Sequence, residues 1–229
     1  MTLSLEEGFD LLLTDPEELL NSAFLSLQNL DRDAISGVSY FLMSKPSYMQ
    51  KGWTRLGSGK AIPVFVIAKI KGKPNKSDFG SGDKRKFPFQ GYFVAMKQQS
   101  SRIGSVPAGT LCALPANGNH DLCITAQLSG CTFGIGSQSN GGSCLVTHIQ
   151  PKDLGDNITE SKVMLNIGDM AYQSSQLLSN GTKRLIEKYD DYAGHANVIG
   201  KRNNGGGWKF YMQNVDLYSK TIKPAECVN

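Results

Sequence analysis

No Cys-x-x-Cys spacing occurs among the five cysteines, Cys112, Cys123, Cys131, Cys144 and Cys227. A zinc ribbon and a thioredoxin motif are therefore absent, and an odd set cannot close into a disulfide framework. Free thiols in a reducing compartment are the expectation. No run approaches the roughly 18 apolar residues that a membrane helix requires. The N-terminus, MTLSLEEGFDLLL, carries acids where a secretory signal carries Lys or Arg. Gly57-Ser-Gly-Lys60 is followed by Ala61 and a β-rich run instead of Ser/Thr and a helix, which excludes a P-loop. There is no internal repeat, low-complexity tract or recognisable linker, so residues 1–229 read as a single domain.

What is present is an ordinary globular composition, 40% hydrophobic and 19% charged over 229 residues, enough to bury a core. With 25 Gly and 9 Pro the chain favours many turns and short strands. At the N-terminus Asp15, Pro16 and Glu18 read as N-cap, first helical residue and capping-box partner. Leu19, Leu20, Ala23, Phe24, Leu27 and Leu30 then predict an amphipathic helix over about 16–30 that packs on the rest. Ala61–Ile70 and Phe89–Met96 read as strands, with Lys71–Lys86 as a long hairpin loop between them. Residues 69–86 hold seven basic side chains against Asp78 and Asp83, a net +5 within a chain of net +4. That loop is either a solvated tip or a surface that steers toward an acidic partner. Strand-rich blocks follow at 109–150 and at 195–222. Between them, Met164–Ile167 reads as a strand and Lys183–Asp191 as a short helix.

The chemistry-bearing residues fall in the block 123–151. By strand alternation Leu122, Ile124, Ala126 and Leu128 point one way and Cys123, Thr125 and Gln127 the other. Ser129-Gly130 breaks the strand and places Cys131 at a sharp turn, where backbone amides can converge on an oxyanion. In the next strand Leu145, Thr147 and Ile149 share one face, and Cys144, Val146 and His148 the opposite one. If the two strands lie near each other in one sheet, Thr125, Cys131 and His148 meet. An imidazole beside a thiol is the usual way to make a sulfur nucleophile at neutral pH. A rival use of the same region is a zinc site from Cys123, Cys131, Cys144 and His148. A third reading is a non-enzymatic β-sandwich binding module in which Cys and His are structural.

The segment Thr125-Ala-Gln-Leu-Ser-Gly-Cys131, with His148 on the following strand, resembles the Leu-Ser-Gly-Cys…His motif of bacterial glutamine deamidase toxins: the catalytic domain of cytotoxic necrotizing factor and the Burkholderia-type lethal factor. The chemotaxis receptor deamidase CheD has a similar Thr-x5-Cys…His arrangement. Ala196-Asn-Val-Ile-Gly200 and Gly207-Trp-Lys-Phe-Tyr211 also resemble a late strand pair of the toxin domains. The resemblance implies an α/β (α+β) fold in which two mixed β-sheets pack as a sandwich flanked by helices and long loops. It implies Cys131 as nucleophile, His148 as general base and acid, and Thr125 or a main-chain carbonyl as the group that orients His148. Ser129 and Gly130 would position substrate and oxyanion.

The implied reaction converts a specific glutamine of a host protein to glutamate, or joins it to an amine if an amine arrives before water. The substrate would belong to the small GTPase or translation-factor class. The resemblance further implies a bacterial toxin or effector acting in host cytosol, without cofactor, metal, obligatory nucleic acid or membrane, and monomeric. His120, His195, Asp121, Asp153 and Asp156 are secondary candidates as bases or histidine-orienting acids, and Trp208 and Tyr211 read as core. Asn157-Ile-Thr159 and Asn180-Gly-Thr182 match a glycosylation pattern that has no meaning in a chain without a secretory signal.

Overall fold

The computed structural model describes residues 3–27, 30, 35–46, 52–98, 112–136, 143–150, 184–186 and 191–228. Two short helices lead the chain, α1 (Leu5–Thr14) and α2 (Pro16–Ser22). Ser4 and Glu7 cap α1 reciprocally, each side chain accepting from the other's amide. Asp15 caps α2 as expected, accepting from the Glu18 amide, with Pro16 at the first helical position. The predicted helix over 16–30, however, stops at Ser22. Ala23 is already extended and Phe24–Ser26 form β1. Ala23, Phe24, Leu25 and Leu27 are all buried, and an apolar cluster this dense fits a buried strand as well as a helix stripe.

The other strands are β2 (Gly37–Ser44), β3 (Thr54–Arg55), β4 (Val64–Ile70), β5 (Lys86–Val94), β6 (Met96–Gln98), β7 (Cys112–Leu114) and β8 (Leu122–Thr125). Further on come β9 (Thr132–Ile135), β10 (Cys144–Gln150), β11 (Arg184–Ile186), β12 (His195–Arg202), β13 (Trp208–Asp216), β14 (Thr221–Ile222) and β15 (Glu226–Cys227). They form two mixed sheets. The larger runs β1-β4-β2-β5-β8-β12-β13-β14-β3, with β15 also on β13. The smaller runs β11-β9-β10-β6, with β7 beside β10.

Two expectations are corrected by this order. Strands β4 and β5 do not form a hairpin: β2 lies between them, antiparallel to both, so 71–85 is a connection across the end of β2. It contains two short 3-10 turns, Lys76–Phe79 and Gly82–Lys84. The expected helix at 183–191 is also wrong where it is described, since Arg184–Ile186 pair with β9. The expected strand at 164–167 lies outside the described residues.

The layers follow from side-chain alternation. Phe41, Met43, Phe65, Ile67, Phe89, Phe93, Ile124 and Ile199 of the larger sheet pack with Leu5, Leu12, Leu19 and Leu20 of the helices. On the opposite face Val94, Cys123, Val198, Trp208, Phe210 and Met212 pack against Met96, Phe133, Ile135, Cys144, Val146 and Ile186 of the smaller sheet. The architecture is thus a two-sheet sandwich with helices on one outer face. Trp208 and Tyr211 are buried in it, as expected, and the Trp208 indole donates to the Pro115 carbonyl over 2.9 Å. Gly200 is needed for this fit, because a Cβ there would stand 2.7 Å from Phe210 and 2.9 Å from the Cys123 Cβ.

A buried polar network fixes the N-terminal segment to the sheet. Gln213 donates to the carbonyls of Leu20 (2.6 Å) and Ala23 (2.7 Å), and its own oxygen accepts from the Leu25 amide and from Asn197. Asn197 also donates to the Leu25 carbonyl and accepts from Gln127. Gln127, Asn197 and Gln213 are therefore paired in the interior, where an unpaired amide would be costly.

Candidate active site

Thr125 is the last residue of β8 and stands beside Val94 in the parallel ladder with β5. His148 lies on β10, next to Met96 of β6 on one side and Phe133 of β9 on the other. Strands β8 and β10 belong to different sheets, which corrects the expectation that one sheet holds both. The alternation holds as far as the strand does: Cys123 and Thr125 face the smaller sheet, and Cys144, Val146 and His148 face back, but beyond Thr125 it breaks, Gln127 turning to Asn197 and Leu128 joining the cluster between the sheets. That face is sealed in the interior, not solvated. Thr125 and His148 meet across the sandwich, with Oγ1 and Nδ1 2.7 Å apart.

The hydrogen bonds fix the imidazole tautomer. Thr125 Oγ1 also lies 2.9 Å from the Val94 carbonyl oxygen, which can only accept. The single hydroxyl proton therefore goes to Val94, and Thr125 accepts from a proton on Nδ1. His148 Nε2 is left as a bare lone pair. It is buried and has no hydrogen-bond partner among the described residues. Burial pushes the His148 pKa down to about 3, so the ring is neutral. The Phe133 ring stands edge-on to it, centroids 6.4 Å apart. Behind Nδ1 there thus stand, in series, the Thr125 hydroxyl and the Val94 main-chain carbonyl.

Cys131 precedes β9 by one residue. Extending the β9–β10 register places it diagonal to His148 on the inner face, a Cα separation of about 7–8 Å for such neighbours. Its Sγ reaches over β10 to within 3.5 Å of the Met96 sulfur, and Met96 is the ladder partner of His148. The turn before it depends on Gly130, whose φ of 120° an L side chain rarely adopts. Ser129 is exposed and Gly130 half-buried. The Gly130 amide, expected to face an oxyanion, donates instead to the Tyr192 hydroxyl (3.1 Å), which in turn donates to the Cys131 carbonyl (2.6 Å). Burial holds the Tyr192 phenol above its usual range and therefore protonated. The pair is closed to solvent in this conformation, with Cys131 3% and His148 0% exposed.

The remaining candidates fall away from this centre. His120 packs edge-on to Tyr92, and His195 opens β12 opposite Val215. Asp121 is held by Arg202 and Lys201. Asp153, Asp156 and both glycosylation-like triplets lie outside the described residues. Cys112, Cys123 and Cys144 are buried within the sandwich. Desolvation raises the Cys112 and Cys144 thiols to about 12, and Cys123 well above its ordinary value, so all three are poor nucleophiles. Among the described residues no three His, Cys, Asp or Glu side chains are grouped to hold a metal ion, and no helix is long and apolar enough to cross a membrane. Sequence reasoning missed Val94, Met96, Phe133 and above all Tyr192, which lies 61 residues from Cys131 and belongs to no local motif.

No protein-family model matches this chain, and no curated protein matches it in sequence.

Proposed function

We propose that the chain is a thiol enzyme that hydrolyses the side-chain amide of a protein glutamine, with Cys131 as nucleophile and His148 as base and acid. The observation that carries this reading is the Val94–Thr125–His148 relay. It spends the Nδ1 proton on an acceptor chain and leaves Nε2 unprotonated and without a partner among the described residues, with Cys131 diagonal to His148 just before the neighbouring strand. A core histidine with no chemical task normally satisfies both ring nitrogens. The resemblance of Thr125…Leu-Ser-Gly-Cys131…His148 to the glutamine deamidase toxins adds the substrate type. That resemblance also suggests a small GTPase or translation factor of a host cell as target, reached after the protein is secreted or translocated.

In the reaction the sulfur lone pair attacks the carboxamide carbon while the thiol proton passes to His148 Nε2. Collapse of the tetrahedral intermediate breaks the C–N bond, and Nε2–H delivers its proton to the departing ammonia. Water, deprotonated by Nε2, then cleaves the thioester to glutamate. An amine in place of water gives transglutamination. Because the ring is neutral before attack, proton removal and C–S bond formation go together.

A second reading is favoured by one observation, the burial of Cys131 and His148. In that reading the pair is core and the protein is a binding module. Incubating candidate host proteins with wild type, Cys131→Ser and His148→Ala separates the two. Ammonia release with Gln-to-Glu conversion by wild type alone supports the enzyme; identical behaviour of all three on a confirmed partner rejects it.

A further inference from the structure

Resting on the thiol-enzyme reading, we propose that Tyr192 is a further catalytic residue: its hydroxyl is the donor that holds the oxyanion formed when Cys131 attacks a carbonyl. The starting observation is that the Gly130 amide, the obvious backbone donor at this turn, already donates to Tyr192 Oη over 3.1 Å. The phenol passes that polarisation on, donating its own proton to the Cys131 carbonyl at 2.6 Å. One oxygen is thus clamped between the amide before the nucleophile and the carbonyl of the nucleophile itself. Tyr192 is 2% exposed, in a water-excluded setting where a fixed donor acts most strongly. A phenol that stays protonated has a proton to offer wherever negative charge develops beside Sγ.

When Sγ adds to the carbonyl carbon, the C=O π pair moves onto oxygen and the thiol proton moves to His148 Nε2. Tyr192 O–H turns from the Cys131 carbonyl to that oxygen, with the Gly130 amide still donating to the phenol from behind. No proton leaves Tyr192; it makes a stronger hydrogen bond in the transition state than in the resting enzyme. On collapse the C=O re-forms and the phenol returns to the Cys131 carbonyl. The Gly130 amide therefore acts on the oxyanion through Tyr192, not directly.

Two reactions of Cys131 separate this role from a structural one. Alkylation by iodoacetamide is a displacement with no tetrahedral oxyanion. Acylation by a p-nitrophenyl ester passes through one. Both require the same opening of the site, so their ratio cancels it. Tyr192→Phe in the full chain should keep the alkylation rate of Cys131 within about two- to threefold and slow its acylation by about 10²–10³-fold, the usual loss for one oxyanion donor. Loss of both rates together assigns Tyr192 to holding the turn and overturns the proposal, as does retention of both. If the Phe variant does not fold, fluorotyrosine at 192 replaces it: acylation should change with phenol acidity while alkylation stays constant, and parallel or absent changes reject the role. Failure of any glutamine to be deamidated, with ester acylation still dependent on Tyr192, rejects the glutamine reading and leaves this one standing.

Discussion

Replacing Thr125 with Val removes one oxygen and keeps the shape of the side chain. That oxygen accepts from His148 Nδ1 at 2.7 Å and donates to the Val94 carbonyl at 2.9 Å. In the variant the Nδ1 proton faces a methyl group inside a fully buried site. Leaving such a donor unpaired costs about 1–3 kcal/mol. The ring can relieve part of this by moving its proton to Nε2, which then carries a proton in place of its lone pair. The first outcome leaves the base without its anchor and the second removes it, and general-base contributions amount to about 10²–10⁴-fold. Thr125→Val should therefore lower the melting temperature by about 2–4 °C per kcal/mol lost, the scale for a domain of this size, and slow acylation of Cys131 by about 10²-fold or more. Thr125→Ser should restore most of both. Nitrogen-15 NMR of the ring reads the tautomer directly, with the proton on Nδ1 in wild type. Wild-type acylation rate and stability in Thr125→Val would refute the relay.

The buried imidazole also makes stability depend on pH. His148 takes up a proton near its ordinary 6.5 in the unfolded chain but only near 3 in the folded one. Its contribution is complete above pH 6.5 and is lost as pH falls toward 3, at about 1.4 kcal/mol per unit, or about 2 kcal/mol at pH 5. Urea titrations from pH 7 to 5 should show this slope, and His148→Gln should flatten it. In the polar network, Asn197→Leu strands the Gln127 amide and the Leu25 carbonyl, so the urea midpoint should fall by an amount equivalent to about 2–4 kcal/mol with an unchanged m-value. A midpoint equal to wild type would show that the network does not hold the N-terminal segment.

The alternation in two short runs, Leu122–Thr125 and Cys144–His148, was enough to place Thr125 and His148 on facing sides, because a period of two fixes which side chains share a face. It did not reveal that the strands sit in different sheets. That is decided by β5 and β12, which take up the ladder positions on either side of β8 and lie far away in sequence. The Asp15 cap was legible for a local reason, since Asp-Pro-x-Glu carries its own hydrogen-bond pattern. The end of α2 was not, because Phe24 and Leu25 are drawn into a parallel pairing with Val64 and Phe65. Tyr192 was invisible on the same grounds. Its two hydrogen bonds close a loop of some sixty residues, and nothing around it in sequence marks it.

The most direct test uses a glutamine peptide in which the carboxamide is replaced by a chloromethyl ketone, incubated with wild type and His148→Ala and followed by peptide mapping. The adduct should form on the sulfur of Cys131 in wild type and be strongly slowed by His148→Ala, with Cys112, Cys123 and Cys144 unlabelled. Labelling confined to the exposed Cys227, or labelling of Cys131 at equal rates with and without the imidazole, would contradict a Cys131–His148 enzyme.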